Sequence, residues 1–142
     1  MEWFILAALS AFFAALVAIF GKIGLEGVVD PTVGTATRAT AMMLFTLTFV
    51  IATGKGHQLT QFTSKDLGFI ILSGIAGAIS WLFYFAALKI ADASQVAIVD
   101  RASVLIVIVL SVLFLGEKIT LKTVTAGILI FLGLLLLTLK LD

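Results

Sequence analysis

The sequence predicts an all-α, polytopic membrane protein: five hydrophobic helices that each cross a bilayer, with almost nothing left over for a soluble domain. Three observations carry that expectation. Of 142 residues, 62% are hydrophobic and 12% charged, where a soluble domain carries about 25% charged residues. Mean hydropathy is +1.27 and there are 12 Phe, so too few polar side chains exist to cover a water-facing surface. The apolar residues also fall in unbroken runs without the alternation of barrel strands. In lipid such runs satisfy their backbone groups only as helices.

A hydrocarbon core about 30 Å thick needs about 20 apolar residues in helix. Five segments meet this, at 3–23, 31–53, 67–88, 93–115 and 121–139. The first has no basic leader and a long apolar run, which reads as a span and not as a cleaved signal. The second opens at Asp30-Pro31, an N-cap followed by Pro at the first helical position. It ends at Gly54-Lys55-Gly56-His57, which opens the longest loop. Thr63 with Asp66 resembles a capping box before the third span, and so does Asp92 with Gln95 before the fourth. Gly116-Glu117-Lys118 ends the fourth, and Thr120 caps the fifth. All loops are short, so consecutive helices are expected to be antiparallel neighbours in one domain, residues 1–142.

Five is odd, so the two ends of this bundle lie on opposite faces of the membrane. Lys55, Lys65, Lys118 and Lys122 lie on the face where the first helix begins. Lys22, Lys89 and Lys140 lie on the other, with Arg38 and Arg101 inside helices on that side. Orientation follows an excess of Lys and Arg in cytoplasmic loops, and neither face has one.

A formal net charge of +1 offers no field for nucleic acid. With no Cys there is no disulfide, thiolate metal site or Cys nucleophile. His57 is the single His and lies in a loop. No HExxH, phosphate-binding Gly loop or Ser/His/Asp set occurs. The expectation is a protein that is not an enzyme and has no metal or cofactor.

The residues that stand out are Arg38, Asp100 and Arg101, because ionisable groups inside spans are costly and mark interior faces or pathways. Arg38 and Asp100 each lie about four residues, or about 6 Å, before the midpoint of their helices, which run in the same direction. A charge pair fits that placement. Snorkelling of both arginines, with Asp100 neutralised by Arg101, fits it too. Asp100, Ser103, Val107 and Ser111 share one helix face, as a cavity lining or a helix contact would require. Arg38, Met42, Phe45 and Phe49 share another, which reads as lipid-facing packing or as the wall of an amphipathic cavity. Ala7, Ala11, Ala14 and Ala18 on the first helix, and Gly74, Gly77 and Ala78 on the third, have the spacing that lets helices approach closely. Trp81 and Tyr84 fit an interfacial aromatic belt or a solute contact.

The run Phe85-Ala86-Ala87-Leu88-Lys89-Ile90-Ala91-Asp92-Ala93-Ser94 resembles part of the EamA domain, the repeat unit of the drug/metabolite transporter superfamily. So do Leu115-Gly116-Glu117-Lys118-Ile119-Thr120, the Gly127 to Gly133 pattern, Ala18-Ile19-Phe20-Gly21-Lys22-Ile23-Gly24 and Arg38. Together these cover essentially the whole chain. Ten-helix members join two such repeats in opposite orientations and export metabolites, amino acids or drugs. Many carry an acidic residue followed by Pro near the start of the fourth helix. Here Asp100-Arg101-Ala102 has none, and Pro31 is the single Pro, which leaves a kink there without its proline.

The resemblance implies a secondary transporter in the cell membrane, the inner membrane in a bacterium, exporting a small metabolite or drug-like solute. One repeat cannot enclose a midplane site, so a homodimer is expected, antiparallel if copies insert both ways up as the even cation balance allows. Arg38, Asp100 and Arg101 would gate or couple, Met42, Phe45, Trp81 and Tyr84 would wall the cavity, and Ser103 would add a polar contact. The competing reading is a non-transporting or partner-dependent membrane subunit.

Overall fold

The computed structural model describes residues 2–27 and 30–138. It is helical throughout: α1 (Glu2–Gly24), α2 (Pro31–Ala52), α3 (Ser64–Ile90), α4 (Ala93–Asp100), α5 (Ser103–Leu115) and α6 (Leu121–Thr138), with a 3₁₀ turn at Gly56–Thr60 between α2 and α3. Leu139 and Lys140, the end of the expected fifth span and one of the counted cations, lie outside the described residues.

Most of the caps form as their residues dictate. The Asp30 carboxylate accepts the Thr32 N–H at 2.7 Å with Pro31 in the first turn, and that N–H holds Asp30 below the usual carboxylate range. Thr63 accepts the Asp66 N–H at 3.2 Å and donates to its carboxylate at 2.6 Å, and Thr120 accepts the Thr123 N–H at 3.2 Å. Gly116 ends α5 at φ +66°, the left-handed conformation that glycine adopts without steric cost. There the Glu117 N–H reaches back to the Ser111 carbonyl, a Schellman closure. Asp92 departs from expectation. It takes the extended N-cap backbone, but its carboxylate makes no cap bond.

The expected fourth span keeps its bounds, Ala93–Leu115, but its helix is interrupted between α4 and α5 at Arg101-Ala102. The Ser103 hydroxyl donates to the Asp100 carbonyl at 2.7 Å, the acceptor that Val104 would use in an unbroken α-helix. The Val104 N–H turns instead to Arg101 O at 3.1 Å, and Leu105 to Ala102 O at 3.0 Å. These are 3₁₀ bonds, and a short 3₁₀ stretch inside a helix marks a local tightening. A proline is not needed to produce it. The two pieces together, Ala93–Leu115, remain long and apolar enough to cross a membrane, as do α1, α2 and α3; α6 is a shorter apolar helix.

The described chain divides into two compact units, residues 1–90 and 91–142. In the second, α6 packs on α4 and α5. Gly127 of α6 faces Leu105 and Ile108, whose methyls would stand 3.5 and 3.4 Å from an added Cβ, so the glycine sets the approach distance.

In the first unit α3 packs against both α1 and α2. Few residues are buried: Ala18, Leu25, Thr35, Phe85 and Leu88, the last fully. Outward-facing side chains such as Phe45 (72% exposed) and Phe83 (74%) form apolar surface far beyond the few hundred Å² that a soluble monomer exposes. Lipid is the solvent that suits it.

Two lysines tie the unit together at one end. Lys22, in the last turn of α1, donates to Leu88 O of α3 at 2.7 Å. Lys89, in the last turn of α3, donates to Leu25 O and Gly27 O, just past α1, at 2.6 Å each. The C-termini of α1 and α3 therefore lie side by side, and each is capped by the other's lysine. Unpaired carbonyls and the negative end of the helix dipole make this arrangement favourable for cations. We expect Lys89→Met to destabilise the folded protein by about 1.5–3 kcal/mol, the range for a hydrogen bond to a charged group. Reversible unfolding in mixed micelles measures it; Lys65→Met, at the start of α3, is the control and should stay within about 0.5 kcal/mol of the parent.

Candidate functional site

The lysine-tied ends fix the neighbourhood of Phe85, one turn before Leu88 on α3. A Cβ added at Gly21 of α1 would lie 3.3 Å from the Phe85 ring, and one added at Gly34 of α2 would lie 3.6 Å from it and 2.9 Å from Leu25 Cδ2. Two glycines thus bring α1 and α2 onto one aromatic ring. Thr35 helps hold α2 there. Its hydroxyl donates to Pro31 O at 2.9 Å and has a longer contact to Trp81 O at 3.5 Å.

Beside this contact the helices leave a cavity of about 480 Å³. Its wall is apolar on the α1 side, with Val17, Phe20 and Leu25 around Gly21 and Gly24. From α2 come Gly34, Thr37, Arg38 and Ala41, and from α3 comes Phe85. Among the described residues Arg38 is the one charged group on the wall. Its guanidinium carbon sits 3.6 Å from the centroid of the Trp81 ring, a close cation–π contact. Trp81 is held in turn by edge contacts to Tyr84 and Phe85, at 5.2 and 5.7 Å between centroids. The aromatic cluster fixes the arginine head inside a span, where a free arginine would snorkel.

The other residues singled out by sequence have separate placements. Met42 and Phe45 are exposed, 53% and 72%, and are not on the wall of this cavity. Asp100 and Arg101 are exposed at the break between α4 and α5, and Ser103 spends its hydroxyl on Asp100 O. They belong to the second unit, Arg38 to the first. Ala11 is exposed, Ala14 half-buried and Ala18 buried; Gly74 and Ala78 are exposed and Gly77 is half-buried. A Cβ at Gly74 or Gly77 would meet nothing within 4 Å. No group of three His, Cys, Asp or Glu able to hold a metal occurs among the described residues.

Sequence reasoning missed Gly21, Leu25, Gly34, Thr37, Ala41 and Phe85. A usable signal was present on α2: Gly34, Arg38 and Ala41 are spaced i, i+4, i+7. Small residues flank the arginine on that face; Phe45 continues the same face a turn beyond Ala41 with Met42 at its side, and neither lines the cavity.

If Gly34 sets the contact beside the cavity, Gly34→Leu should lower stability by about 1–3 kcal/mol, the usual cost of overpacking. Gly133→Leu, at a glycine with nothing within 4 Å, should be tolerated. Thermal denaturation of the two purified variants against the parent checks this.

The sequence comparisons agree with this architecture. The family model described as the EamA-like transporter family matches residues 1–139. A protein of Sinorhizobium sp., described as an uncharacterized transporter in a cobO 3′ region, is 38% identical over 136 residues, covering 96% of each chain. No solved structure matches. The apolar spans, the all-helical fold and a family match over nearly the whole chain lead to one assignment: this is a multi-pass membrane protein that belongs to the EamA-like transporter family.

Proposed function

We propose that the chain is a secondary exporter of a small metabolite or drug-like solute, working as a homodimer in a cell membrane, the inner membrane in a bacterium. The observation that carries this reading is the cavity beneath Arg38. It combines an apolar wall with one fixed charge inside a span, and its volume of about 480 Å³ is of the size that small molecules occupy, roughly 300–1,000 Å³. Family membership supports transport as the activity.

The dimer follows from the size of the repeat, since transporters built from repeats place the solute between two of them. Among the described residues nothing lies within 4 Å of a Cβ added at Gly74 or Gly77, which leaves room for a second copy to approach. Asp100 and Arg101, at the break in the fourth span, are the groups we assign to coupling or gating. A helix interrupted at an ionisable pair gives both a charged group and a local hinge at one point of the span.

Purified protein alone, reconstituted in liposomes under an imposed pH gradient, should move a solute found by thermal-shift screening of a metabolite library. Asp100→Asn should slow that flux at least about tenfold, equivalent to about 1.4 kcal/mol in the barrier, with an unchanged unfolding temperature. Absence of flux without a second protein would instead identify a partner-dependent subunit.

Antiparallel pairing makes a separate prediction about topology. His57 and Glu26 lie in loops at opposite ends of the spans of the first unit, and the chain has no Cys. Single variants His57→Cys and Glu26→Cys should each be partly labelled by an impermeant maleimide in intact cells. Full labelling of one and full protection of the other means a single orientation and removes the antiparallel dimer.

A further inference from the structure

We infer that the cavity beneath Arg38 selects amphipathic organic anions, with a monocarboxylate on an apolar body as the simplest case. The inference rests on the reading of this cavity as the solute site and adds the sign of the solute's charge.

The sign follows from what the wall offers. Its two polar side chains are Arg38 and Thr37. The Thr37 hydroxyl donates to Val33 O at 2.9 Å, so its proton is committed within α2. Among the described residues no carboxylate lines the cavity, so a cationic solute would find no counter-charge there and would meet the guanidinium. A neutral polar solute would find the donors of one arginine and little else. An anion meets five N–H donors in a planar fork that matches a carboxylate.

Arg38 is also short of a partner in its own unit. Its contact there is the Trp81 face, and no carboxylate of the first unit pairs with it among the described residues. Stacking on the indole engages the face of a guanidinium, while its N–H groups point out along the edges. A half-buried cation inside a span, held in place by an aromatic cluster, gains most from a ligand that brings the missing negative charge. The remaining wall, chiefly Phe20, Leu25 and Phe85, suits an apolar body. With one anchor for charge, one acidic group suffices.

Trp81 reports on this directly, because the charge it stacks against is the one the anion would engage. The chain has two Trp, so Trp3→Phe leaves Trp81 as the single indole. The full-length protein with that change is placed in nanodiscs of zwitterionic lipid, and Trp81 emission is followed at neutral pH. The probes are 3-phenylpropionate, its uncharged amide and phenethyltrimethylammonium.

A saturable change is expected with the acid, at concentrations at least about tenfold below those needed for the amide, and no change with the ammonium. Arg38→Gln should bring acid and amide to the same weak affinity, and the amide's residual binding shows that the site remains formed. Arg38→Lys should keep the preference for the acid while weakening it, since an ammonium lacks the bidentate fork. Equal affinity for acid and amide, binding of the ammonium, or acid binding unaltered in Arg38→Gln overturns the inference. If Arg38→Gln does not fold, the three probes on the chain with native Arg38 decide the matter alone.

An acidic lipid headgroup shares this chemistry, so phosphatidylglycerol is added to the discs. Failure to displace the acid supports a solute site, whereas displacement at a few per cent of lipid assigns the cavity to lipid and overturns the solute. Flux in liposomes is read separately. Acid-selective binding without flux supports the anion site and removes the transport reading. Flux of a cationic or neutral solute, with no preference for the acid in binding, overturns the anion site and leaves transport standing.

Discussion

The first unit depends on two helix C-termini that lie side by side and are capped by each other's lysine. Parallel helices that end together present two sets of unpaired carbonyls and two negative dipole ends. Within lipid, no hydrophobic drive exists to hold them there. Lys22 and Lys89 resolve both problems by reaching across, to Leu88 O in one direction and to Leu25 O and Gly27 O in the other. Leu88 is enclosed as a result, with no exposed surface at all. Because Phe85 is three residues earlier on the same helix, its ring is placed against Gly21 and Gly34. Trp81, a further turn back, is then in position under Arg38. The site is thus built outward from its most polar end.

Hydroxyl groups in the spans follow a different rule. Thr35, Thr37, Thr40, Thr46, Thr53 and Thr125 each donate to the carbonyl four residues earlier, and Ser111 to the one three earlier. Each satisfies its hydroxyl within its own helix, as an apolar solvent requires. A stripe of Ser and Thr in such a helix is therefore weak evidence for a solute path. Ser103 shows the other outcome of the same bond. Its hydroxyl bonds the Asp100 carbonyl at a point where the backbone runs in i−3 bonds at Arg101, Ala102, Val104 and Leu105.

That contrast explains how much was legible beforehand. Long apolar runs and end-of-helix residues are local, so the helices and most caps could be read from the sequence: Asp30-Pro31, Thr63 with Asp66, Thr120 and Gly116 all act as their chemistry predicts. The break at Arg101-Ala102 has no mark in the sequence, since it consists of i−3 backbone bonds made by Arg101, Ala102, Val104 and Leu105 without a proline. Arg38 and Trp81 could each be singled out, but their contact depends on the register between α2 and α3. That register is set by Gly34, Phe85 and the lysines at the far end, none of which a single helical wheel displays. Periodicity groups Met42 and Phe45 with Arg38, yet the cavity takes its α2 wall from residues 34–41 and stops short of both.

The same glycines that allow close packing also create the space beside it. A Cβ at Gly34 would collide with Leu25, whereas one at Gly24, on the wall of the same cavity, would meet nothing within 4 Å. Gly34 is small because two helices touch there; Gly24 is small at a place where they do not. Small residues in membrane helices are usually read as contact points, and Gly34 and Gly127 fit that reading. At Gly24 the missing side chain is volume left open within reach of a fixed positive charge. A glycine on the wall of a cavity that also holds a half-buried arginine therefore carries two structural meanings, and the neighbours of its absent Cβ separate them.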